Sequence, residues 1–263
     1  TLFRLLVAHS FKCGKNLFEM KCLLCTNNID GSLDVEIVKF VPCESQIFGG
    51  KTFMLGGTTV LESEAKGVLS GELSGIAAKT VPFWAQSRFF PPKDLAEISE
   101  WEEKIEKVAE AAVGNNIRGF GGTPSWMLIF LDKLAEVSPL AHKRSLKPLP
   151  DLELIIHGGV NFAPYRRQFD DLCRGTRAEL REVYPASEGF LAVQDCGPGE
   201  GLRLLLDNGL FLEFVPLEEL ESRSPTRHHI GNAELGVKYA VVVSSCAGLW
   251  SYVLGDTVRF VDP

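Results

Sequence analysis

Two short motifs carry side chains that could do chemistry. The stretch HGG ends one apolar run and YPASEG ends another, so both follow predicted strands. Open α/β sheets bind ligands beyond the carboxyl ends of their strands. Gly158 and Gly159 have no side chains and leave room for a flat ring, on which Tyr184 could stack. Glu188 could hold a metal ion. The motifs therefore indicate a site for a planar ligand.

A third candidate is Asp256, which follows Gly255 inside GLWSYVLGDTVRF. Glycine reaches positive φ at little cost, and aspartate bonds to its own backbone. Gly-Asp between two apolar runs therefore predicts a hairpin turn that joins two strands. A turn alone gives the carboxylate no chemical role.

The elements that must hold these motifs follow from the hydrophobic pattern. Lys51 opens a short strand, KTFML. A strand, a helix and a second strand are then predicted over DLELIIHGG (151–159), PYRRQFDDLC (164–173) and AELREVYP (178–185). Two strands joined in this way are parallel if they share a sheet, and the connection between them is right-handed. His157 is predicted to be a hydrogen-bonded core histidine.

Two longer helices are also predicted. Apolar residues three or four apart over 94–113 indicate one amphipathic helix, with Trp101 as a core anchor. Thr123 and Pro124 suit the N-cap and first position of a second, largely buried helix. Its start at Ser125 could receive an anion, although packing alone would give the same sequence. GELSGI, 71–76, is predicted to be a loop.

Beyond Glu188 the pattern changes to β-hairpins, with Asp207-Asn208-Gly209 as one turn. These segments predict a barrel or a second small sheet. The fold class is therefore α/β, with parallel-rich sheets, flanking helices and a β-rich subdomain.

Composition narrows the possible functions. The chain has 263 residues, 45% of them hydrophobic, and a net charge of −7 without a basic stripe. This argues against a general nucleic-acid binder, and no apolar run reaches the roughly 18 residues of a transmembrane helix. The opening TLFRLLVA lacks the features of a signal peptide. A small anionic ligand is compatible with the charge if a metal ion or backbone amides provide positive potential.

Seven cysteines, mostly in apolar surroundings, fit a reducing, cytoplasmic setting. Cys22 and Cys25 have zinc-ligand spacing and could combine with Cys13 and Cys43. No second close pair follows, however, so buried free thiols fit the pattern better than a zinc site.

Taken in order, IHGGVNFAPYRRQF, YPASEGFLAVQ, LLLDNGLFLEFVP and YAVVVSSCAGLWSYVLGDTVRF resemble the auxin-responsive acyl-acid amido synthetases, a branch of the adenylate-forming enzymes. SGELSGI, EWEEKIE and GTPSW are similar to the bacterial members. The resemblance covers about 46–263, and 1–45 stays unassigned. It implies part of an adenylate-forming large domain.

The resemblance implies that a small carboxylic acid reacts with ATP to give an acyl-adenylate, which then acylates an amine such as an amino acid, without nucleic-acid or membrane partners. Gly158, Gly159 and Tyr184 would hold adenine. Asp256 would bind both ribose hydroxyls. Ser187 would lie near the α-phosphate, and Glu188 would bind Mg²⁺. An acyl pocket would be lined by Ser125, Trp126 and Phe162.

The sequence also departs from the family. The phosphate loop and the lysine-bearing C-terminal domain are not found, and LGGTTV, 55–60, imitates the loop only superficially. Ser251 stands where relatives generally carry arginine, and Val253 replaces the arginine of many plant members. We therefore expect weak nucleotide binding and negligible turnover by the 263-residue chain. Two alternatives are an acyl-CoA ligase and a degenerate, non-catalytic nucleotide-binding protein.

Overall fold

A computed structural model describes residues 20–27, 33–40, 45–57, 59–66, 68–197 and 199–261. The described chain forms two compact units, divided in sequence between Glu182 and Val183. The zinc alternative lies outside this description, which includes neither Cys13 and Cys43 nor the side chains of Cys22 and Cys25. Among the described helices, none is both long and apolar enough to cross a bilayer.

The described residues of the first unit form eight strands, and a ninth strand crosses its boundary. In chain order they are β1 (Met20–Asn27), β2 (Leu33–Phe40), β3 (Lys51–Leu55), β4 (Glu62–Ala65), β5 (Val68–Ser70), β6 (Phe89–Phe90), β7 (Ile117–Gly122), β8 (Leu154–Gly158) and β9 (Glu179–Ala186). β1 pairs antiparallel with β2, and β4 pairs antiparallel with β5.

A parallel sheet in the order β6-β3-β7-β8 is the centre of the first unit. The Glu179 N–H donates to the Glu153 carbonyl at 2.9 Å, so β9 and β8 start at the same edge, as expected of a parallel pair. At the opposite side of the sheet, β6 pairs with Thr52 and Phe53 of β3. The predicted KTFML strand and the α/β class with a parallel-rich sheet are confirmed.

In the part of the chain that the structure describes, five helices flank this sheet: α1 (Leu73–Thr80), α2 (Lys93–Ala96), α3 (Trp101–Ala112), α4 (Pro124–Val137) and α5 (Arg166–Cys173). The core lies where the buried rings of Phe53 and Phe120 stack, with centroids 4.8 Å apart, and Phe130 of α4 packs edge-on against Phe53 at 4.7 Å. The predicted start of α4 is confirmed, because Thr123 takes an extended N-cap conformation before Pro124.

The single helix predicted over 94–113 is wrong, because the chain forms α2 and α3 with a break between them. Glu100 is extended (φ −72°, ψ 115°) at the N-cap of α3. The Lys104 ammonium group of α3 donates to the Ala96 carbonyl at the end of α2, at 2.8 Å. This bond satisfies a helix-end acceptor and stabilises the break.

The loop predicted at 71–76 is also wrong, since α1 begins at Leu73. A Cβ on Gly75 would lie 3.1 Å from the Thr59 carbonyl oxygen and 2.9 Å from the Leu61 side chain. This glycine therefore allows a helix to approach another segment closely, whereas the sequence pattern suggested a loop.

The second unit is β-rich, as predicted. After the last four residues of β9 it contains β10 (Gly189–Val193), β11 (Arg203–Leu204), β12 (Leu210–Pro216), β13 (Lys238–Ser245) and β14 (Tyr252–Arg259). β9, β10 and β11 pair antiparallel in this order, as do β12, β13 and β14. Its core contains the buried side chains of Leu191, Phe214, Tyr239, Val241 and Val243.

Candidate functional site

The second unit brings two of the predicted site residues into direct contact. Tyr184 lies on β9, and its hydroxyl donates a hydrogen bond to Oδ2 of Asp256 on β14 at 2.6 Å. Tyr184 is half-buried, whereas Asp256 is exposed. The contact therefore joins a partly enclosed aromatic ring to a carboxylate that solvent or a ligand can reach.

Asp256 owes its position to a bulge in β14, so the predicted hairpin turn at Gly255-Asp256 is wrong. Ala240 of β13 pairs with Thr257, and Val242 pairs with Val253. One residue of β13 thus faces three residues of β14, and Gly255 among them has φ +87°. Extra residues in a strand bend it and redirect its side chains. The glycine therefore serves the bulge rather than a chain reversal.

Ser187 and Glu188 form the tip of the β9–β10 hairpin, because Ala186 pairs directly with Gly189. Ser187 is exposed and Glu188 is half-buried. The tip is thus a solvent-facing turn, with the hydroxyl and the carboxylate on successive residues.

The pKa of Tyr184 is raised well above its ordinary value. Burial contributes most, followed by the hydrogen bond to Asp256, the charge of Asp256 and the charge of Glu188. Three of the predicted residues, Tyr184, Glu188 and Asp256, therefore interact within one acidic cluster. The phenol remains a hydrogen-bond donor at neutral pH.

A metal ion would need additional ligands at this cluster. Among the described residues, no group of three or more histidine, cysteine, aspartate or glutamate side chains could hold a metal ion. Mg²⁺ commonly takes one or two carboxylates together with water and substrate phosphates. Glu188 fits this pattern as a single protein ligand beside a nucleotide.

Gly158 and Gly159 lie in the first unit, at the end of β8. Gly159 is exposed with φ +78°, and a Cβ added to it would meet no atom within 4 Å. The backbone here therefore faces open space, as the planar-ligand prediction requires. Contact with adenine stays a prediction.

His157 precedes these glycines and is 1% exposed. Its ring stacks on Phe162, with centroids 3.5 Å apart, and Nδ1 has no hydrogen-bond partner among the described residues. The predicted hydrogen bond of this core histidine is therefore absent at Nδ1. Burial, with a smaller effect of the Arg166 charge, lowers the pKa of His157 to about 4.

The three residues predicted for an acyl pocket differ in exposure. Phe162 is 2% exposed and packs between His157 and Phe169, which favours a core role. Ser125 and Trp126 occupy the first turn of α4, where Ser125 is half-buried and Trp126 is 37% exposed. A ligand could reach the two α4 residues, and their predicted role stays untested.

Sequence reasoning missed Arg227. Its Nη1 donates to Glu213 Oε2 at 2.9 Å and to Ser251 Oγ at 3.2 Å. The structure thus brings a guanidinium group to Ser251, a position that is itself uncharged. Arg227 and Ser251 are 24 residues apart in sequence, so no local motif could indicate the contact.

Comparison with known proteins shows what this chain is similar to. Residues 203–263, which contain Asp256, match the model of the GH3 family central domain. Over 84 residues the chain is 33% identical to a jasmonoyl–L-amino acid synthetase of Nicotiana attenuata. The fold matches two solved GH3.15 acyl acid amido synthetase structures, each with a TM-score of 0.65 and with 15% and 13% identity; the second is a complex with 2,4-DB.

These matches cover 82% and 99% of this chain but only 47% and 57% of the two solved chains, and the curated match covers 30% of this chain and 15% of the relative. The chain thus spans only part of the length of its relatives. Its recognition as a relative of the GH3 acyl acid amido synthetases is confirmed, and its fold resembles that of the two GH3.15 structures.

Proposed function

We propose that this chain is the nucleotide-binding part of an enzyme that activates a small carboxylic acid with ATP and transfers the acyl group to an amine, such as that of an amino acid. One observation carries the proposal: Tyr184 and Asp256 form a hydrogen-bonded pair, and Asp256 lies in the segment that matches the GH3 central domain. The homologues are acid–amino acid ligases, which gives the reaction class.

Asp256 is suited to bind a ribose. A carboxylate has two acceptor oxygens, and a vicinal diol presents two donors at matching spacing. Hydrogen bonds to a charged group are stronger than those between neutral groups. The bulge fixes the backbone that carries this carboxylate and keeps the side chain exposed. The ribose would therefore be held through both hydroxyls.

The other predicted residues take complementary roles. Gly158 and Gly159 are proposed to contact adenine, and a Cβ added to Gly159 would meet no atom within 4 Å. The Tyr184 ring has an aromatic face on which a base can stack. The Ser187 hydroxyl is exposed and can donate to a phosphate oxygen. Glu188 would hold Mg²⁺, which neutralises phosphate charge when bound.

Adenylation requires the carboxylate to attack the α-phosphate of ATP and release pyrophosphate, so two negative groups must approach each other and positive charge nearby speeds the step. Ser251 and Val253 are uncharged, and Arg227 adds a guanidinium group at Ser251. Losing one charge-stabilising donor typically costs about a hundredfold in rate. We therefore propose that the 263-residue chain binds nucleotide weakly and turns over negligibly without further parts.

We also propose a reducing, cytoplasmic setting. The cysteines whose side chains are described, Cys173, Cys196 and Cys246, are free thiols. Free thiols persist where glutathione and thioredoxin keep them reduced.

Calorimetric titration with AMP tests the nucleotide site. The wild-type chain should bind, and Asp256→Ala should lose about 1.5 to 3 kcal/mol of binding free energy, the usual range for a hydrogen bond to a charged group. Glu218→Ala is a matched control, because Glu218 is an exposed acid of the same unit. Equal loss in both variants, or no binding by any of them, would contradict the proposal.

A further inference from the structure

The hydrogen bond between Tyr184 and Asp256 has a consequence for ligand selection. The phenol oxygen lies 2.6 Å from Oδ2, and no other hydrogen bond to Asp256 is found among the described residues. Tyr184 thus takes one acceptor site on Oδ2, whereas Oδ1 accepts no hydrogen bond from the described residues. A ligand that bonds to both oxygens competes with the tyrosine hydroxyl at Oδ2, whereas a ligand that bonds to one oxygen can use Oδ1 alone.

We propose that Tyr184 is a specificity-determining residue whose hydroxyl takes the place of a ligand hydroxyl on Asp256, so that it opposes binding of a vicinal diol but not binding of a single hydroxyl. This inference rests on the proposed function, because it takes Asp256 as the ribose-binding residue. It assigns the Tyr184 hydroxyl a role separate from that of the ring, which remains free to contact adenine.

Three features of the cluster support this role. The contact is short and joins a neutral donor to a carboxylate, which is the stronger kind of hydrogen bond. Burial, the bond to Asp256 and the nearby acids raise the pKa of Tyr184, so the phenol keeps the proton that it donates. Asp256 is exposed, so an arriving ligand can reach its available oxygen.

A comparison of two nucleotides on two proteins tests the inference. AMP carries both ribose hydroxyls, and 2′-deoxy-AMP carries only one. Tyr184→Phe keeps the ring and removes the hydroxyl. The dissociation constant for AMP should fall about tenfold in this variant, the value of one modest hydrogen bond. The dissociation constant for 2′-deoxy-AMP should change less than about twofold, because that ligand leaves the tyrosine bond in place.

Tyr252→Phe is the matched control, since Tyr252 lies on the same strand as Asp256 and is 44% exposed. Its affinities should equal those of the wild type. A tyrosine that merely orients Asp256 would give the opposite result, because its loss would weaken AMP binding.

The outcomes separate this inference from the proposed function. AMP binding that Tyr184→Phe strengthens selectively supports the inference. The inference is overturned if Tyr184→Phe weakens AMP binding, leaves it unchanged, or strengthens it as much as 2′-deoxy-AMP binding. Each of these results leaves the nucleotide site intact. No AMP binding by either protein overturns both.

Discussion

Arg118 and Glu153 form a buried ion pair where two neighbouring parallel strands begin. Nη1 of Arg118, on β7, lies 2.5 Å from Oε1 of Glu153, just before β8, and the two side chains are 9% and 11% exposed. The Ser45 hydroxyl donates to the other carboxylate oxygen at 2.6 Å. The pair therefore fastens an earlier segment of the chain to the sheet.

Glu153→Gln should lower the free energy of unfolding by about 3 kcal/mol, because it removes the nearer counter-charge of a buried guanidinium group and leaves only Asp151, whose Oδ1 lies 3.7 Å from Nη2. Urea denaturation at pH 7 measures the loss. The double variant Arg118→Met/Glu153→Leu removes both charges and should recover most of the stability. A single variant within about 0.5 kcal/mol of the wild type would contradict a structural role for the pair.

Lys104 should matter more for stability than its neighbour Lys107 on α3. Lys104 is 6% exposed and donates to the carbonyls of Gly57 and Ala96 at 2.7 and 2.8 Å. Burial lowers the pKa of Lys104, against the opposing charge of Glu72. Lys104→Met leaves both carbonyls without this donor and should cost about 1 to 3 kcal/mol.

Lys107→Met is the control for that change. Lys107 forms an exposed i,i+4 pair with Glu103, so its replacement should alter stability by no more than about 0.5 kcal/mol. Chemical denaturation of both variants decides the comparison. Equal effects would show that the two carbonyl contacts contribute nothing to stability.

His157 should make stability depend on pH between 6.5 and about 4. Its folded pKa of about 4 lies below the ordinary 6.5, so the unfolded chain binds a proton that the folded protein excludes. The contribution is fully present above pH 6.5 and is lost as the pH falls, by at most about 1.4 kcal/mol per pH unit. Replacing His157 with Phe removes this titration.

The measurement is the difference in unfolding free energy between wild type and His157→Phe at several pH values. Other titrating groups are common to both proteins and cancel. As the pH falls below 6.5, the unfolding free energy of the wild type should decrease relative to that of His157→Phe. A constant difference would mean that His157 is not held neutral by burial.

Gly255→Ala should weaken AMP binding by about fivefold or more. The residue has φ +87°, which L-amino acids with a Cβ adopt at a cost of roughly 1 kcal/mol. Relief of that strain would move Asp256. Gly236→Ala carries a similar strain at φ +80° in the same unit and should destabilise the protein without changing AMP affinity. Calorimetry on both variants separates loss of stability from loss of the site.

Local pattern was enough to predict several elements and the approximate location of the motifs. β3 matches the predicted KTFML strand, and the strand–helix–strand unit is present. These succeeded because side-chain alternation and apolar runs depend only on neighbouring residues. The ordered motifs also predicted the relationship to GH3 acyl acid amido synthetases that the comparisons support.

The failures arise from contacts that sequence spacing does not reveal. The bulge at Gly255 exists only relative to β13, so the same Gly-Asp pair looked like a turn. The break before α3 depends on Lys104 reaching back to Ala96. Tyr184 and Asp256 are 72 residues apart, and nothing local indicates that one donates to the other.

The short strand β6 has a consequence for behaviour at high concentration. It pairs with only two residues of β3, and Pro91 and Pro92 follow it directly. Proline has no amide hydrogen, so this border of the sheet cannot continue a ladder beyond Phe90. An open sheet border with free donors invites pairing with another molecule. The two prolines therefore act against self-association into extended β-aggregates.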